Sequence, residues 1–247
     1  MTNDTVIVSL TTHSIRIAQV ARTAIWSIIK NTYKDIHIVL TLYKDDIKLI
    51  PQDLQLLIDN EIVELIVADK DLGPHLKYFY VMQKYRENPI ITIDDDILYP
   101  ENMIEEMVNA YNENRCIIGR RCYEIMPDMN YHKWLMTGIS QIKIPTHKNF
   151  ATGVGGILYP PNCLQLSENN INEILAIKYD DDFYLKALEV RLDLKILTII
   201  YDQRILFKKN LTDNHTQSIA LWKTNMAKAT ERLKQFEEEF TYACFKQ

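Results

Sequence analysis

At 247 residues, with 47% hydrophobic and 25% charged residues and only 6 glycines and 8 prolines, the chain can bury a sizeable core but has no composition for long flexible linkers. Its formal net charge of -5 comes without a long basic block, which argues against a nucleic-acid partner, because phosphate neutralisation needs clustered Lys and Arg. No window approaches the roughly 20 apolar residues of a membrane span. The start MTNDTVIVSL lacks a signal-peptide pattern, and Cys116, Cys122, Cys163 and Cys244 have no zinc-like spacing, so a cytoplasmic chain with free thiols is expected.

In chain order, TVIVSL is apolar enough for a buried strand, and Ile17, Val20, Ala21, Ala24, Ile25 and Ile28 then recur on one helical stripe. IHIVLTLY reads as a second strand, residues 51–60 as a helix, EIVELIVA as a strand, residues 74–87 as a helix and PIITI as a fourth strand. Strict alternation of this kind implies an α/β fold with right-handed crossovers: a mostly parallel sheet carrying helices on both faces. Ligands on such sheets bind beyond the carboxyl ends of the strands, and Asp94, Asp95 and Asp96 follow PIITI at that end.

Beyond residue 115 the pattern loosens. CIIGRRCY and LDLKILTII read as strands and residues 180–190 as a helix, and between them ATGVGGILYPPN carries half of the glycines. The C-terminal segment sets Ile219, Trp222, Met226, Ala229, Leu233, Phe236 and Phe240 at alternating spacings of three and four, one apolar helical seam. The seam either packs against its own domain or makes a homodimer or membrane-surface contact through residues 219–240.

Three adjacent carboxylates at the end of a buried strand must each be hydrated, hydrogen-bonded or neutralised. If the backbone there stays extended, Asp94 and Asp96 point to one side, where a hard divalent cation such as Mn2+ or Mg2+ bridges paired acids to diphosphate oxygens. The plainer alternative is that one acid caps the helix starting near Pro100. A second cluster, Asp180, Asp181 and Asp182 in YDDDFYLKAL, either complements a helix dipole or supplies a general base facing the first cluster across a crevice. Gly153, Gly155 and Gly156 allow a ligand to lie against the backbone, or else form a tight bend before a strand. Lys77 opens a helix and either meets a phosphate or is a solvated surface lysine, His215 is a lone candidate imidazole ligand, and Thr11, Thr12 and Arg16 follow the first strand. Neither a P-loop nor a G-x-G-x-x-G pattern occurs.

Together, VSLTTHSIRI, LGPHLKY before IITIDDDILYP, then GVGGILYPP and DDFYL resemble the GT-A-fold nucleotide-sugar glycosyltransferases, specifically the small bacterial enzymes of lipopolysaccharide and capsule synthesis. The resemblance implies a Rossmann-like GT-A domain over residues 1–210, divided into a nucleotide-sugar half (1–114) and an acceptor half (115–210), with a C-terminal helical extension at 211–247. It implies that Asp94 and Asp96 hold the metal and the donor diphosphate, with Asp95 nearer the ribose. Thr11 and Arg16 would lie by the base and ribose, Lys77 by the diphosphate or donor sugar, and Gly155 and Gly156 on the acceptor side. Asp182 is implied as catalytic base, with Asp181 the alternative, and His215 as a further metal ligand. The donor implied is a UDP-sugar and the acceptor a glycan or lipid-linked hydroxyl, with transfer that inverts the anomeric centre at the inner face of the membrane. Acceptor choice is expected to fall to residues 120–148. Two competing readings are a nucleotidyltransferase, which usually wants a glycine-rich basic loop that SLTTHSIRI lacks, and a non-catalytic nucleotide-sugar- or glycan-binding subunit.

Overall fold

The structure, a computed structural model, describes residues 4–200, 209–211 and 221–246, with the backbone alone at 209–210, 221–228 and 232. The alternation expected from the sequence is present: β1 (Val6–Thr11), α1 (Arg22–Ile29), β2 (Ile36–Tyr43), α2 (Gln52–Asp59), β3 (Val63–Ala68), α3 (Phe79–Lys84) and β4 (Ile90–Thr92). A π-helical turn at Ile17–Ala21 leads into α1, and a 3₁₀ turn at Gly73–Lys77 precedes α3. After β4 come β5 (Ile97–Leu98), α4 (Met103–Asn114), β6 (Ile117–Gly119), β7 (Cys122–Glu124), α5 (Tyr131–Thr137), β8 (Asn149–Ala151) and β9 (Ile157–Tyr159). The chain continues through α6 (Ile171–Ala176), α7 (Asp181–Arg191), β10 (Ile196–Thr198), β11 (Lys209–Asn210) and α8 (Leu221–Phe245).

Seven strands form the main sheet in the order β10-β6-β9-β4-β1-β2-β3. Pairings among β1, β2, β3 and β4 are parallel, as is β10 with β6, whereas β9 runs antiparallel between β4 and β6. The sheet is therefore Rossmann-like and mixed, mostly parallel. Two hairpin-like pairs, β5 with β11 and β7 with β8, stand off it.

Strand periodicity divides the core. In β1, Val6, Val8 and Leu10 enter one apolar cluster with Ile25 and Ile28 of α1, Leu54 and Leu57 of α2, and Met103 and Met107 of α4. Ile7 points to the opposite cluster, which holds Phe79 and Val81 of α3, Trp134 of α5, Ile174 of α6 and Phe183 of α7. With both faces covered, the strands are apolar at nearly every position, as buried parallel strands are.

Ala229, Leu233, Phe236 and Phe240 of α8 are buried in that second cluster, and α8 packs on α5 and α7. Over this stretch the C-terminal seam covers its own domain. Ile219 lies outside the described residues, as do the side chains of Trp222 and Met226. No helix among the described residues is long and apolar enough to cross a membrane.

Candidate functional site

A cavity of about 910 Å³ opens beyond the carboxyl ends of β1 to β4 and is walled on its far side by residues around Arg121, Tyr131, Gly153 and Asp182. Both acidic clusters line it, so the two are brought to one crevice.

The first cluster is divided among partners. Asp95 takes a two-pronged contact from Arg16, with Nε at 3.0 Å from Oδ2 and Nη2 on Oδ1, and it also accepts the Thr12 hydroxyl at 2.6 Å. Arg16 Nη2 reaches on to Asp96 Oδ2 at 2.8 Å. Burial would depress the Arg16 pKa, but Asp95 and Asp96 outweigh it and raise the value. Asp96 is pushed up to about 6, by burial and by the like charges of Asp94 and Asp95, against the pull of Arg16. None of the three acids caps the following helix, whose N-cap is Asn102.

Asp94 faces the other way. Its Oδ1 lies 2.9 Å from Lys77 Nζ, and the same ammonium is 2.8 Å from Asp181 Oδ2. The backbone N–H of Asp94 donates to the buried Tyr99 hydroxyl at 2.9 Å, which in turn donates to the Val154 carbonyl at 3.2 Å, tying the end of β4 to the glycine turn. Lys77 is held in place by Ser9, whose hydroxyl donates to the Lys77 carbonyl at 2.5 Å. Only 5% of Lys77 is exposed. Burial alone would favour the neutral amine, yet Asp181, Asp94 and Asp182 hold its pKa well above normal.

The second cluster opens α7, where acids complement the helix dipole. Asp181 and Asp182 nevertheless differ sharply. Burial works against the Asp181 charge, but Lys77 and then His75 overcome it and hold the pKa below the ordinary carboxylate value. Asp182 is pushed up to about 8 by burial and by the charges of Asp181 and Asp94, which together outweigh Lys77 and the Gly153 hydrogen bond. Its Oδ1 accepts the Gly153 N–H at 3.0 Å, and no hydrogen bond to its Oδ2 is made among the described residues.

Gly153 is where these groups converge. A Cβ on it would lie 2.6 Å from Lys77 Nζ, 3.0 Å from Asp94 Oδ1 and 3.6 Å from Asp182 Oδ1. Its missing side chain is the space that lets one ammonium and two carboxylates from distant segments meet. Gly155 and Gly156 do not line the cavity. A Cβ on Gly155 would sit 2.7 Å from the Arg121 backbone nitrogen, and Gly156 uses its freedom at φ +86° to enter β9, so both serve the bend that was the second sequence alternative. Thr11 lines the cavity with its hydroxyl donated to the Thr41 carbonyl at 2.7 Å. His215 lies outside the described residues.

Sequence reasoning did not single out Tyr99, Arg121 or the partnership of Thr12 with Asp95. Arg121 lies in the Arg120–Arg121 link between β6 and β7, and neighbouring arginines with opposite environments were the available signal. Arg120 is 1% exposed and turns toward Glu106 of α4, whereas Arg121 lines the cavity.

The sequence over residues 7–168, more than half of the chain, matches Glycosyl transferase family 2. The chain belongs to that family. Solved structures with a similar fold include the mannosyltransferase PcManGT from Pyrobaculum calidifontis in complex with GDP-Man and Mn2+ (11% identity, TM-score 0.53, covering 97% of this chain and 69% of that one). S. aureus TarS in complex with UDP is 10% identical at TM-score 0.54, over 80% of this chain and 58% of that chain. The family 2 chain also shares its fold with the 4-diphosphocytidyl-2C-methyl-D-erythritol synthase from Anaerococcus prevotii (12% identity, TM-score 0.52, 90% and 97% covered), so fold alone does not separate sugar transfer from nucleotidyl transfer. No curated protein matches the chain. A GT-A glycosyltransferase is thus what the sequence and the fold together support, and the resemblance of the motifs agrees with it.

Proposed function

We propose that the chain is a metal-dependent, inverting transferase that moves a sugar from a nucleotide-sugar, a UDP-sugar by resemblance, to a hydroxyl of a glycan or lipid-linked acceptor. The observation that carries this reading is the convergence of Asp94, Lys77 and Asp182 on Gly153 inside one large cavity. In this reading residues 1–114 hold the donor, 115–210 the acceptor, and Asp182 is the base.

The residues fit a divalent cation. Asp94, Asp95, Asp96, Asp181 and Asp182 are met by two nearby cations, Arg16 and Lys77, so acid is in excess before any diphosphate enters. Burial first, and then the like charges of neighbouring carboxylates, raise Asp96 and Asp182, and added positive charge would offset the second of these. No cluster of three or more candidate ligands occurs among the described residues, and Mg2+ or Mn2+ commonly takes one or two carboxylates and completes its shell with substrate phosphates and water. Asp94 and Asp96 would hold the cation, each giving up a present partner, Lys77 for Asp94 and Arg16 for Asp96, since the two do not point to one side as the extended backbone would have them. Bound there, it would supply Lewis-acid stabilisation of the charge growing on the nucleoside diphosphate leaving group.

The chain's own residues do the rest. Arg16 and Thr12 fix Asp95 at the end of the nucleotide crevice, and Lys77 carries a positive charge to the side where the diphosphate would lie. Asp181 is committed to Lys77, whereas Asp182 combines an unengaged oxygen with a raised proton affinity, the properties of a general base that takes the acceptor proton as the hydroxyl attacks. Attack from the Asp182 side, opposite the leaving group, inverts the anomeric centre. A triphosphate fits less well, since the one cation in the loop after β1, Arg16, is already spent on Asp95 and Asp96.

The test is Asp182→Asn with a nucleotide-sugar donor: donor affinity within about threefold of wild type, with transfer reduced at least about 10³-fold. Near-normal transfer would move the base to Asp181.

A further inference from the structure

Among the described residues, four strong cations line the cavity: Arg16, Lys77, Lys178 and Arg121. Three of them are neutralised by carboxylates, Arg16 on Asp95 and Asp96, Lys77 on Asp94 and Asp181, and Lys178 on Asp71 at 2.6 Å. Arg121 has no carboxylate partner among the described residues. Its guanidinium meets only neutral groups: Nη2 donates to the Tyr123 hydroxyl, Nη1 donates to the Thr152 hydroxyl at 3.4 Å, and the group lies 4.7 Å from the centre of the Tyr123 ring.

The position of this charge is built, not incidental. The Arg121 carbonyl accepts the Thr152 N–H at 3.0 Å, and the absent side chain of Gly155 gives its backbone room, since a Cβ there would meet the Arg121 nitrogen at 2.7 Å. It stands on the side of the cavity that holds Asp182. Thr152, which Arg121 contacts, is followed by Gly153, whose N–H donates to Asp182 Oδ1 at 3.0 Å, and the half-buried Tyr131 lines the same cavity. The Tyr123 ring backs the guanidinium, and a planar guanidinium matches the two oxygens of a carboxylate or phosphate.

We infer that Arg121, with Tyr123 and Tyr131, forms an acceptor subsite that selects an anionic acceptor, one carrying a carboxylate or phosphate on the sugar that is attacked or on the one beside it. This rests on the transferase reading above. It goes beyond that reading by naming the charge class of the acceptor and the residue that reads it. In a chain whose net charge is negative and whose cavity is rich in acids, an arginine in this place with no carboxylate partner among the described residues is the feature that a neutral acceptor leaves unused.

The experiment uses the full chain loaded with Mn2+ and with whichever of UDP and GDP binds, and titrates matched glycosides followed by saturation-transfer NMR. The pairs are methyl glucuronide against methyl glucoside, methyl galacturonide against methyl galactoside, and glucose 1-phosphate and mannose 1-phosphate against the methyl glycosides of the same sugars. At least one anionic member is expected to bind about tenfold or more tightly than its neutral counterpart, with the preference shrinking as NaCl is raised from about 20 to 200 mM. Which member leads tells a ring carboxylate from a phosphate at the reducing end. Arg121→Gln is expected to reduce the preference to twofold or less with nucleotide affinity unchanged, and Arg121→Lys to retain part of it. Equal binding within every pair, or a preference that survives in Arg121→Gln, overturns the inference. So does a tenfold loss of nucleotide affinity in Arg121→Gln with the preference intact, which would give the guanidinium to the donor diphosphate. Failure of both nucleotides to bind in the presence of Mn2+ would instead sink the transferase reading, and it is recorded before any glycoside is added.

Discussion

Replacing Lys77 with methionine should destabilise the protein in a strongly pH-dependent way. Lys77 is the single cation between Asp94 and Asp181, with its side chain 7% exposed against 29% and 12% for the two acids. Methionine keeps most of the volume and removes the charge, so the acids face one another and Asp182 uncompensated. Breaking a buried ion pair by deleting one partner costs about 3–5 kcal/mol. The protein has an escape, because a carboxylate can take a proton, and for an ordinary carboxyl near pKa ~4 each unit of pH above that adds about 1.4 kcal/mol to that step. At pH 5 protonation therefore limits the loss to about 1–2 kcal/mol, whereas at pH 8 the full 3–5 kcal/mol is expressed. In the wild type the depressed Asp181 contributes stability that is present above its unfolded pKa and is lost as pH falls. In the variant its folded pKa is raised, the folded state binds the extra proton, and stability instead falls as pH rises. Urea denaturation followed by circular dichroism at pH 5, 6.5 and 8 measures this, and at pH 8 the loss corresponds to a drop in Tm of about 6–20 °C. A loss below about 1 kcal/mol at pH 8, or a loss that does not change with pH, would refute the electrostatic account. Adding Asp181→Asn to Lys77→Met should recover part of the loss, because one of the stranded charges is then gone.

Gly153→Ala should leave the fold intact by circular dichroism while lowering transfer at least about 100-fold, because the new methyl would sit 2.6 Å from Lys77 Nζ and 3.0 Å from Asp94 Oδ1; transfer within threefold of wild type would show that the convergence has slack. Asp94→Ala and Asp96→Ala should each abolish the Mn2+-dependent part of the thermal shift produced by a nucleoside diphosphate, and an unchanged shift in both would remove the metal from these residues. The transfer rate should rise with pH along a single acid limb whose midpoint lies above the ordinary carboxylate range, since the base form of Asp182 is the active one; a rate that falls between pH 6 and 8 would assign the limb elsewhere. Asp182→Asn should also flatten the stability profile between about pH 4 and 8, because a carboxyl raised in the folded state withdraws stability as pH climbs through that window.

Much of residues 1–114 was legible because the signals there are local. IHIVLTLY became β2 residue for residue, and the crossover pattern from β1 to β4 follows from periods of two and of three to four. The later half was not, for two reasons. CIIGRRCY looks like one strand, yet the chain turns at Arg120 and Arg121 so that β6 joins the main sheet and β7 leaves it to pair with β8. Strand β9 is three residues between two glycines and two prolines, too short to show a period, and its antiparallel place between β4 and β6 is set wholly by tertiary pairing. The acids were visible from their position after a strand and at a helix start. Their partners were not, because Lys77 with Asp181, and Thr12 and Arg16 with Asp95, join segments 79 to 104 residues apart. Which glycine meets the reactive groups depends on the rotation of the Gly153–Gly155 turn, and no spacing in the sequence encodes it.

The three aspartates after β4 also show why a local rule fails in an informative way. Extended backbone would send Asp94 and Asp96 to one side and Asp95 to the other. Instead Asp95 and Asp96 share Arg16, while Asp94 turns to Lys77 with its backbone pinned by Tyr99. The triplet thus reaches both ends of the crevice: through Arg16 it anchors the loop after β1, and through Lys77 it is coupled to the start of α7. A change of charge at Asp94 is therefore felt at Asp181 and Asp182 through one ammonium. The site is held together at a cost: burial, and then the like charges of the neighbouring carboxylates, raise the proton affinity of Asp96 and Asp182 above the ordinary carboxylate value. Such a site destabilises the empty protein and is relieved by added positive charge, which is the physical reason for expecting ligand binding and stability to be linked here.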